Sequence, residues 1–191
     1  MRLLEKYDFD QIVISLKSSS VPTMVAAYRL LAERCSYPLH LGVTEAGTER
    51  MGLIKSAAGI GSLLLDGIGE TIRVSLTADP VREVYAARDI LKGLGYNTGT
   101  PKLVSCPTCG RTRINLIPLV NEVEQRLQSV HKDITVACMG CVVNGPGEAR
   151  EADIGVAGGK GCGVLFKKGE ILRTVPEDQI VDELMKEIEK L

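Results

Sequence analysis

The chain has 191 residues, of which 45% are hydrophobic and 25% charged, and its formal net charge is -1. These values are typical of a globular protein with one large or two small domains, and the near-neutral charge argues against nucleic acid as a partner. We find no secretory signal and no apolar run that could span a membrane, so the six cysteines favour reduced thiols or metal ligands. We therefore expect a cytoplasmic protein.

The first half predicts three strand–helix units. Short β-branched, apolar runs that each end in a polar loop span residues 11–16, 38–43 and 71–76. A helix is predicted from Met24 to Cys35, and another begins at Pro80, which Asp79 can cap. Between the second and third strands the helix is predicted less clearly, because three glycines interrupt it. Such units, repeated about every 30 residues, are typical of a TIM barrel or a doubly wound sheet.

Polar side chains follow each of these strands. In parallel folds, ligand-binding groups lie at the carboxyl ends of the strands. The residues at these ends are Lys17, Thr44, Glu45, Arg73, Ser75 and Thr77. Cationic and hydroxyl side chains together suit a phosphate-bearing ligand. Three units cannot close a barrel of about eight strands, so we expect the chain to be part of something larger.

The second half carries most of the cysteines. A short strand at 102–105 leads into Cys106-Pro-Thr-Cys109, and a strand at 133–136 ends before Cys138-Met-Gly-Cys141. A helix is predicted between them, and a third strand, a glycine-rich loop at 158–163, a hairpin and an amphipathic helix follow. The sequence therefore predicts a compact domain with a central sheet and thiols at its strand ends.

Two C-x-x-C pairs allow three interpretations. A zinc ribbon with four cysteine ligands is the generic one, which would make the domain a structural or binding module. A redox-active dithiol at Cys106 and Cys109 is the second, and an iron–sulfur cluster is the third. The segment after Cys141 contains glycines and a proline that favour a rigid turn, which would carry Glu148 back toward the thiols. A structural zinc site does not need that carboxylate. Neither His40 nor His131 is a convincing ligand.

Two motifs resemble one known family. Ser105-Cys-Pro-Thr-Cys-Gly110 and Gly140-Cys-Val-Val-Asn-Gly-Pro-Gly-Glu148 are similar to segments of the 4-hydroxy-3-methylbut-2-enyl diphosphate synthase family of the methylerythritol phosphate pathway. The segments around Lys17, Thr44 and Arg73 resemble the last three strand ends of that family's TIM barrel. The resemblance implies an α/β fold, with a partial TIM barrel in residues 1–98 and a small α/β iron–sulfur domain with a central sheet in residues 99–191.

The resemblance also implies the site and the reaction. A [4Fe–4S] cluster would be held by Cys106, Cys109, Cys141 and Glu148, so that Cys138 is not a ligand. The oxidoreductase would open the ring of 2-C-methyl-D-erythritol 2,4-cyclodiphosphate with two electrons from a flavodoxin or ferredoxin. Residues implied to bind substrate or to handle protons are Lys17, Arg73, Ser75, Asn144 and Glu45, together with the catalytic ligand Glu148.

The resemblance implies a homodimer as well, in which the cluster domain of one subunit closes over the barrel of the other. The family's barrel has five further strands before these three, bearing additional diphosphate-binding arginines. We therefore expect this chain alone to hold the cluster but to turn over poorly or not at all.

Overall fold

The computed structural model of the protein describes residues 2–96, 98–142 and 149–191. These residues form two compact units, which divide the chain into residues 1–96 and 97–191. Among the described residues, no helix combines the length and the apolar character that crossing a membrane would require. Each unit has its own hydrophobic core.

The first unit alternates helices with short parallel strands. Its described elements are α1 (Arg2–Glu5), α2 (Val21–Ala32), β1 (His40–Leu41), α3 (Glu49–Leu65), β2 (Thr71–Ile72) and α4 (Pro80–Gly93). β1 and β2 pair in parallel, with His40 opposite Thr71. The predicted cap of α4 is confirmed, because the Asp79 carboxylate accepts a hydrogen bond of 2.8 Å from the Val81 amide.

The predicted strand at 11–16 is wrong as a continuous strand. Only isolated parallel bridges occur here, from Ile14 to Leu39 and from Ser18 to Val43. Between them, the Leu16 amide donates to the Tyr28 hydroxyl of α2 at 2.8 Å. A side chain from a helix therefore takes the place of a ladder hydrogen bond, which the alternation of apolar residues could not predict.

Helix α3 is continuous although its sequence predicted only an interrupted helix. Its glycines lie where neighbouring elements come close. A Cβ atom added at Gly52 would lie 2.5 Å from Leu76 Cδ2, and one at Gly59 would lie 2.7 Å from Met24 Cε. Tight packing against the strands and α2 therefore offsets the low helix propensity of glycine at these positions.

Ser56 of α3 gives a stability prediction. Its side chain is fully buried, and its hydroxyl has no hydrogen-bond partner among the described residues. Replacing Ser56 by alanine removes an unsatisfied buried hydroxyl and improves helix propensity, so we expect the free energy of unfolding to rise by about 1 kcal/mol. Urea denaturation measures the difference.

Ser62 in the same helix is the matched control. Its hydroxyl donates to the Gly59 carbonyl at 3.1 Å, so the substitution Ser62→Ala gains the same helix propensity but loses a hydrogen bond. We expect little net change in its stability. An equal rise for both variants would show that helix propensity alone accounts for the effect at Ser56.

The second unit is a mixed five-stranded sheet in the order β3-β4-β5-β6-β7. Its described elements are β3 (Lys102–Ser105), α5 (Leu116–Leu127), β4 (Thr135–Met139), β5 (Ile154–Gly159), β6 (Cys162–Lys167), β7 (Glu170–Pro176), a 3₁₀ turn (Glu177–Gln179) and α6 (Ile180–Glu189). Strands β3, β4 and β5 are parallel, whereas β6 and β7 add antiparallel. The predicted central sheet and terminal hairpin are both present.

Both faces of this sheet are partly covered. One face packs against α5 and α6, and its core includes Val136, Cys138 and Val156. The other face carries Ala137, Met139 and Phe166. This division follows from the alternation of side chains along each strand.

Residues 158–163, predicted as a flexible loop, belong mostly to a hairpin. Gly158 and Gly159 end β5, and Cys162 begins β6 opposite Gly159. The backbone of Gly140 comes close to Gly158, which explains the glycine there, since a Cβ atom at Gly158 would lie 2.7 Å from the Gly140 carbonyl oxygen. At the turn itself, Gly161 has a φ of +68°, which favours glycine.

Candidate functional site

The thiols of the second unit meet at one edge of the sheet. Ser105 of β3 lies opposite Cys138 of β4 in parallel register, so the carboxyl ends of these two strands are neighbours. Cys106 directly follows β3, and Cys141 follows β4 after a single residue. The parallel pairing therefore brings the two cysteine motifs together although residues 110–137 separate them in sequence.

Backbone contacts join the loops of the two motifs. The Gly140 amide donates to Cys106 Sγ at 3.2 Å, and the Gly140 carbonyl accepts from the Arg113 amide at 2.8 Å. Thr112 lies between the loops, because its Oγ1 accepts from the Cys109 amide at 3.1 Å and would lie 3.1 Å from a Cβ atom added at Gly140. The residue before Cys141 is thus held directly by the Cys106–Arg113 segment.

Cys109 has the environment of a reactive thiol. Its side chain is exposed. Backbone and side-chain hydrogen bonds from Arg111 lower the pKa of its thiol, and the Thr112 side chain adds to the effect. A lowered pKa favours the thiolate, the form that binds metals and attacks disulfides. By contrast, Cys106 is half-buried and Cys141 is buried.

Cys138 has the opposite environment. It lies inside β4, fully buried in the core between the sheet and the helices. Burial raises the pKa of its thiol to about 12, with the nearby Cys106 as a smaller cause. Its neutral thiol packs as a small apolar side chain.

All four cysteines of the C-x-x-C pairs are described, and neither these four nor the three residues Cys106, Cys109 and Cys141 form a group that could hold one metal ion. Among the described residues, no group of three or more His, Cys, Asp or Glu side chains could hold a metal ion. Cys138 packs in the core, and Cys106 packs against the same core. The other two predicted residues of this region, Asn144 and Glu148, lie outside the described residues.

The first unit has a polar face built by strand alternation. Leu39, Leu41 and Val43 pack into the core with the helices, so His40, Gly42 and Thr44 lie on the opposite face. The neighbouring segments follow the same pattern. Residues on this face are Ser15, Lys17, His40, Gly42, Thr44, Thr71, Arg73 and Ser75.

Lys17 and Arg73 flank Gly42 on this face. A Cβ atom at Gly42 would lie 3.1 Å from Lys17 Cε and 2.9 Å from the Arg73 carbonyl oxygen. Burial, and then the charge of Arg73, lowers the pKa of Lys17. Neither cation forms a salt bridge with a carboxylate of the described residues. We name Lys17, Gly42 and Arg73 the cationic cradle, since two neighbouring cations without a carboxylate partner favour an anion.

Glu45 lies at the end of the same strand segment. Its side chain is exposed, and its backbone is left-handed with a φ of +52°. Few residues other than glycine adopt this conformation, which is found disproportionately at functional sites. Glu45 therefore stays a candidate for proton handling.

Sequence reasoning missed His40 and Tyr28. His40 lies on the polar face, where its Nδ1 is 2.8 Å from Thr71 Oγ1. His40 alternates with Gly42 and Thr44 along the strand, and this spacing could have predicted that it shares their face. Tyr28, fully buried in α2, donates from its hydroxyl to the His40 carbonyl at 2.5 Å. Nothing in the sequence pattern indicated that contact.

The Tyr28 hydroxyl supplies a second stability prediction. It accepts from the Leu16 amide and donates to the His40 carbonyl, which also accepts from Ser15 Oγ at 3.0 Å. The substitution Tyr28→Phe leaves the Leu16 amide without this partner, and we expect the free energy of unfolding to fall by about 2 kcal/mol. Urea denaturation tests this.

Tyr37→Phe is the control for that substitution. The Tyr37 hydroxyl donates to Glu5 at 2.7 Å at an exposed position, where water can replace the lost partner. We expect a change within about 0.5 kcal/mol. Equal losses for the two variants would contradict a specific role of Tyr28.

Comparisons with known proteins agree on one family. Residues 1–88 match the GcpE TIM-barrel domain, and residues 102–190 match the GcpE protein C-terminal domain. The chain is 61% identical over 191 residues to a protein of Clostridium acetobutylicum named 4-hydroxy-3-methylbut-2-en-1-yl diphosphate synthase (flavodoxin). Proteins of the same name from Clostridium perfringens and Geobacter sulfurreducens are 60% and 61% identical.

These matches cover the whole chain but only part of each relative. All 191 residues align in the three cases, and they span 55%, 55% and 54% of the relatives. The chain therefore spans about half the length of the curated relatives it matches.

Proposed function

The chain belongs to the GcpE family, and on that premise we propose that it carries the cluster-binding portion of a 4-hydroxy-3-methylbut-2-enyl diphosphate synthase. The proposed reaction is the two-electron reductive ring opening of 2-C-methyl-D-erythritol 2,4-cyclodiphosphate in isoprenoid biosynthesis. A flavodoxin is the proposed electron donor, because the relatives carry that donor in their names. The resemblance of the cysteine motifs predicted this family correctly.

One observation carries the proposal: Cys138 lies within strand β4, whereas Cys106, Cys109 and Cys141 lie in the loops that follow β3 and β4. The loops that bear Cys106, Cys109 and Cys141 are joined through Gly140 and Thr112 at one edge of the sheet. Cys138 lies in the core instead. Three cysteines and a carboxylate are the ligands that the family resemblance implies, and the burial of Cys138 within β4 agrees with its exclusion from that set.

These residues fit a [4Fe–4S] cluster in their chemistry. Thiolates are the usual ligands of such clusters, and each one binds a different iron, whereas the ligands of a zinc ribbon all converge on one ion. Cys106, Cys109 and Cys141 would hold three corners, and Glu148 the fourth. When bound, the cluster would supply electrons one at a time to the substrate.

The cationic cradle would bind the diphosphate of the substrate. Lys17 and Arg73 donate charge-assisted hydrogen bonds to phosphate oxygens, and the hydroxyl of Ser75 on the same face can add another. Gly42 allows the Lys17 side chain and the Arg73 backbone to approach closely, since a Cβ atom there would lie 3.1 Å from Lys17 Cε and 2.9 Å from the Arg73 carbonyl oxygen. Glu45 would handle a proton, and Asn144 would contact the substrate from the cluster side. We also propose that the protein forms a homodimer, as the family resemblance implies.

The test is anaerobic reconstitution of the purified chain with iron and sulfide. We expect a brown protein with about four irons and four sulfides per chain and a broad visible absorption. A colourless protein with about one tightly bound zinc after the same treatment would overturn the proposal in favour of the zinc ribbon.

A further inference from the structure

His40 lies beside the cationic cradle on the polar face of the first unit. It precedes Gly42 by two residues in the strand segment, so the two positions are successive on that face. Parallel register sets His40 beside Thr71, and Arg73 continues the second strand on the same side. The imidazole is thus a direct neighbour of the site proposed to bind phosphate.

Contacts hold this imidazole in place. Its Nδ1 is 2.8 Å from Thr71 Oγ1, and its backbone carbonyl accepts from both Ser15 Oγ and Tyr28. The contact with Thr71 orients the ring, while the two bonds to the carbonyl fix the backbone that carries it. The segment before α2, the helix α2 itself and the strand β2 all contribute to its position.

The charges that face His40 are positive. Lys17 comes from the segment before α2 and Arg73 follows β2, while Ser15, Tyr28 and Thr71 contribute hydroxyl groups. Burial is the first cause that lowers the pKa of His40, and the charges of Lys17 and Arg73 add to it. Without a bound anion, a third positive charge here is therefore unfavourable.

We propose that His40 is a positioning residue of this anion site, and that its imidazole takes up a proton when phosphate oxygens lie against Lys17 and Arg73. The anion offsets the two cations, so the imidazolium becomes favourable and adds a third charge to the site. The inference rests on the proposed function, since it takes the cradle as the diphosphate site.

The sign of the pH dependence follows from proton linkage. The pKa of His40 is lowered in the free protein, and the anion raises it. Between these two pKa values, binding takes up a proton, so the affinity for the anion rises as the pH falls. The affinity changes by at most about tenfold per pH unit for one proton.

The experiment uses sulfate, which keeps two negative charges from about pH 5 to pH 8. The chain has only two histidines, so their ring protons can be followed by NMR during pH titrations with and without sulfate. We expect sulfate to raise the pKa of His40 and to leave His131, an exposed residue of the other unit, unchanged.

Two variants sharpen the test. His40→Asn keeps a side-chain nitrogen that can bond Thr71 but does not titrate, so its sulfate affinity should not depend on pH in this range. Lys17→Met should raise the pKa of His40 in the free protein, because one of the two facing charges is gone. The NMR titration of the wild-type chain does not depend on either variant folding.

The outcomes separate this inference from the proposed function. Sulfate binding that requires Arg73 but leaves the pKa of His40 and the pH dependence unchanged would overturn the role of His40 and leave the diphosphate site standing. If no sulfate binds at any pH, both the anion site and the role of His40 are overturned, while the cluster proposal keeps its own test.

Discussion

The substitution Cys141→Ala is expected to abolish cluster assembly in the reconstituted chain, with iron falling at least about tenfold below the wild-type level. Cys141 is buried beside Gly140, whose amide donates to Cys106 Sγ, and under the proposal its thiolate holds one of the four irons. Cys106→Ala and Cys109→Ala should act in the same way. Iron and sulfide analysis with an absorption spectrum measures the loss.

The matched control is Cys138→Ala. This cysteine belongs to the second C-x-x-C pair, but its side chain packs in the core. Removing its sulfur leaves a small cavity, so we expect the free energy of unfolding to fall by about 1 kcal/mol while the iron content stays unchanged. If Cys138→Ala lost its metal as completely as Cys141→Ala, the four-cysteine interpretation would return and the three-cysteine set would be wrong.

The position of Cys138 within β4 could not be predicted from the spacing of its motif. C-x-x-C spacing places two sulfurs within reach of one ion only when the motif forms a turn. Here β4 continues past the predicted end at Val136 to Met139, because its backbone still pairs with β3 and β5. Cys138 then shares the side of Val136, which faces the helices. Because alternate residues of a strand face the same side, the position of Cys138 in β4 directs its side chain into the core.

Elements with strong local signals were predictable. Asp79 before Pro80 marked the start of α4, and the alternating residues of the second half marked a sheet with a terminal hairpin. The continuity of α3 could not be predicted. The helix propensity of glycine is a local property, whereas Gly52 and Gly59 pack against residues that are distant in sequence. Likewise, the bond from Leu16 to Tyr28 joins segments that no pattern connects.

The cationic and hydroxyl residues of the candidate site could be predicted from their positions at the strand ends. Lys17, Arg73 and Ser75 share a face because parallel strands place alternate residues on the same side. The sequence did not show that Lys17 and the Arg73 backbone pack closely on Gly42, or that His40 lies beside them, because both depend on which side of the strand faces the helices. The positions of Asn144 and Glu148 lie outside the described residues and stay predictions.

The substitution Arg73→Gln is expected to weaken the binding of inorganic diphosphate to the first unit by about 10- to 100-fold, the loss of one charge-assisted hydrogen bond or two. Lys17→Met should have a similar effect, and since both cations flank Gly42 and act on one ligand, their effects should not be additive. Calorimetric titration at fixed ionic strength measures the affinities.

Arg29→Gln is the control with the same change of charge, because Arg29 is paired with Asp66 at 2.7 Å on the exposed side of α2. A loss of affinity in Arg29→Gln equal to that in Arg73→Gln would mean that diphosphate responds only to net charge, whereas a loss confined to Lys17 and Arg73 assigns it to the cationic cradle.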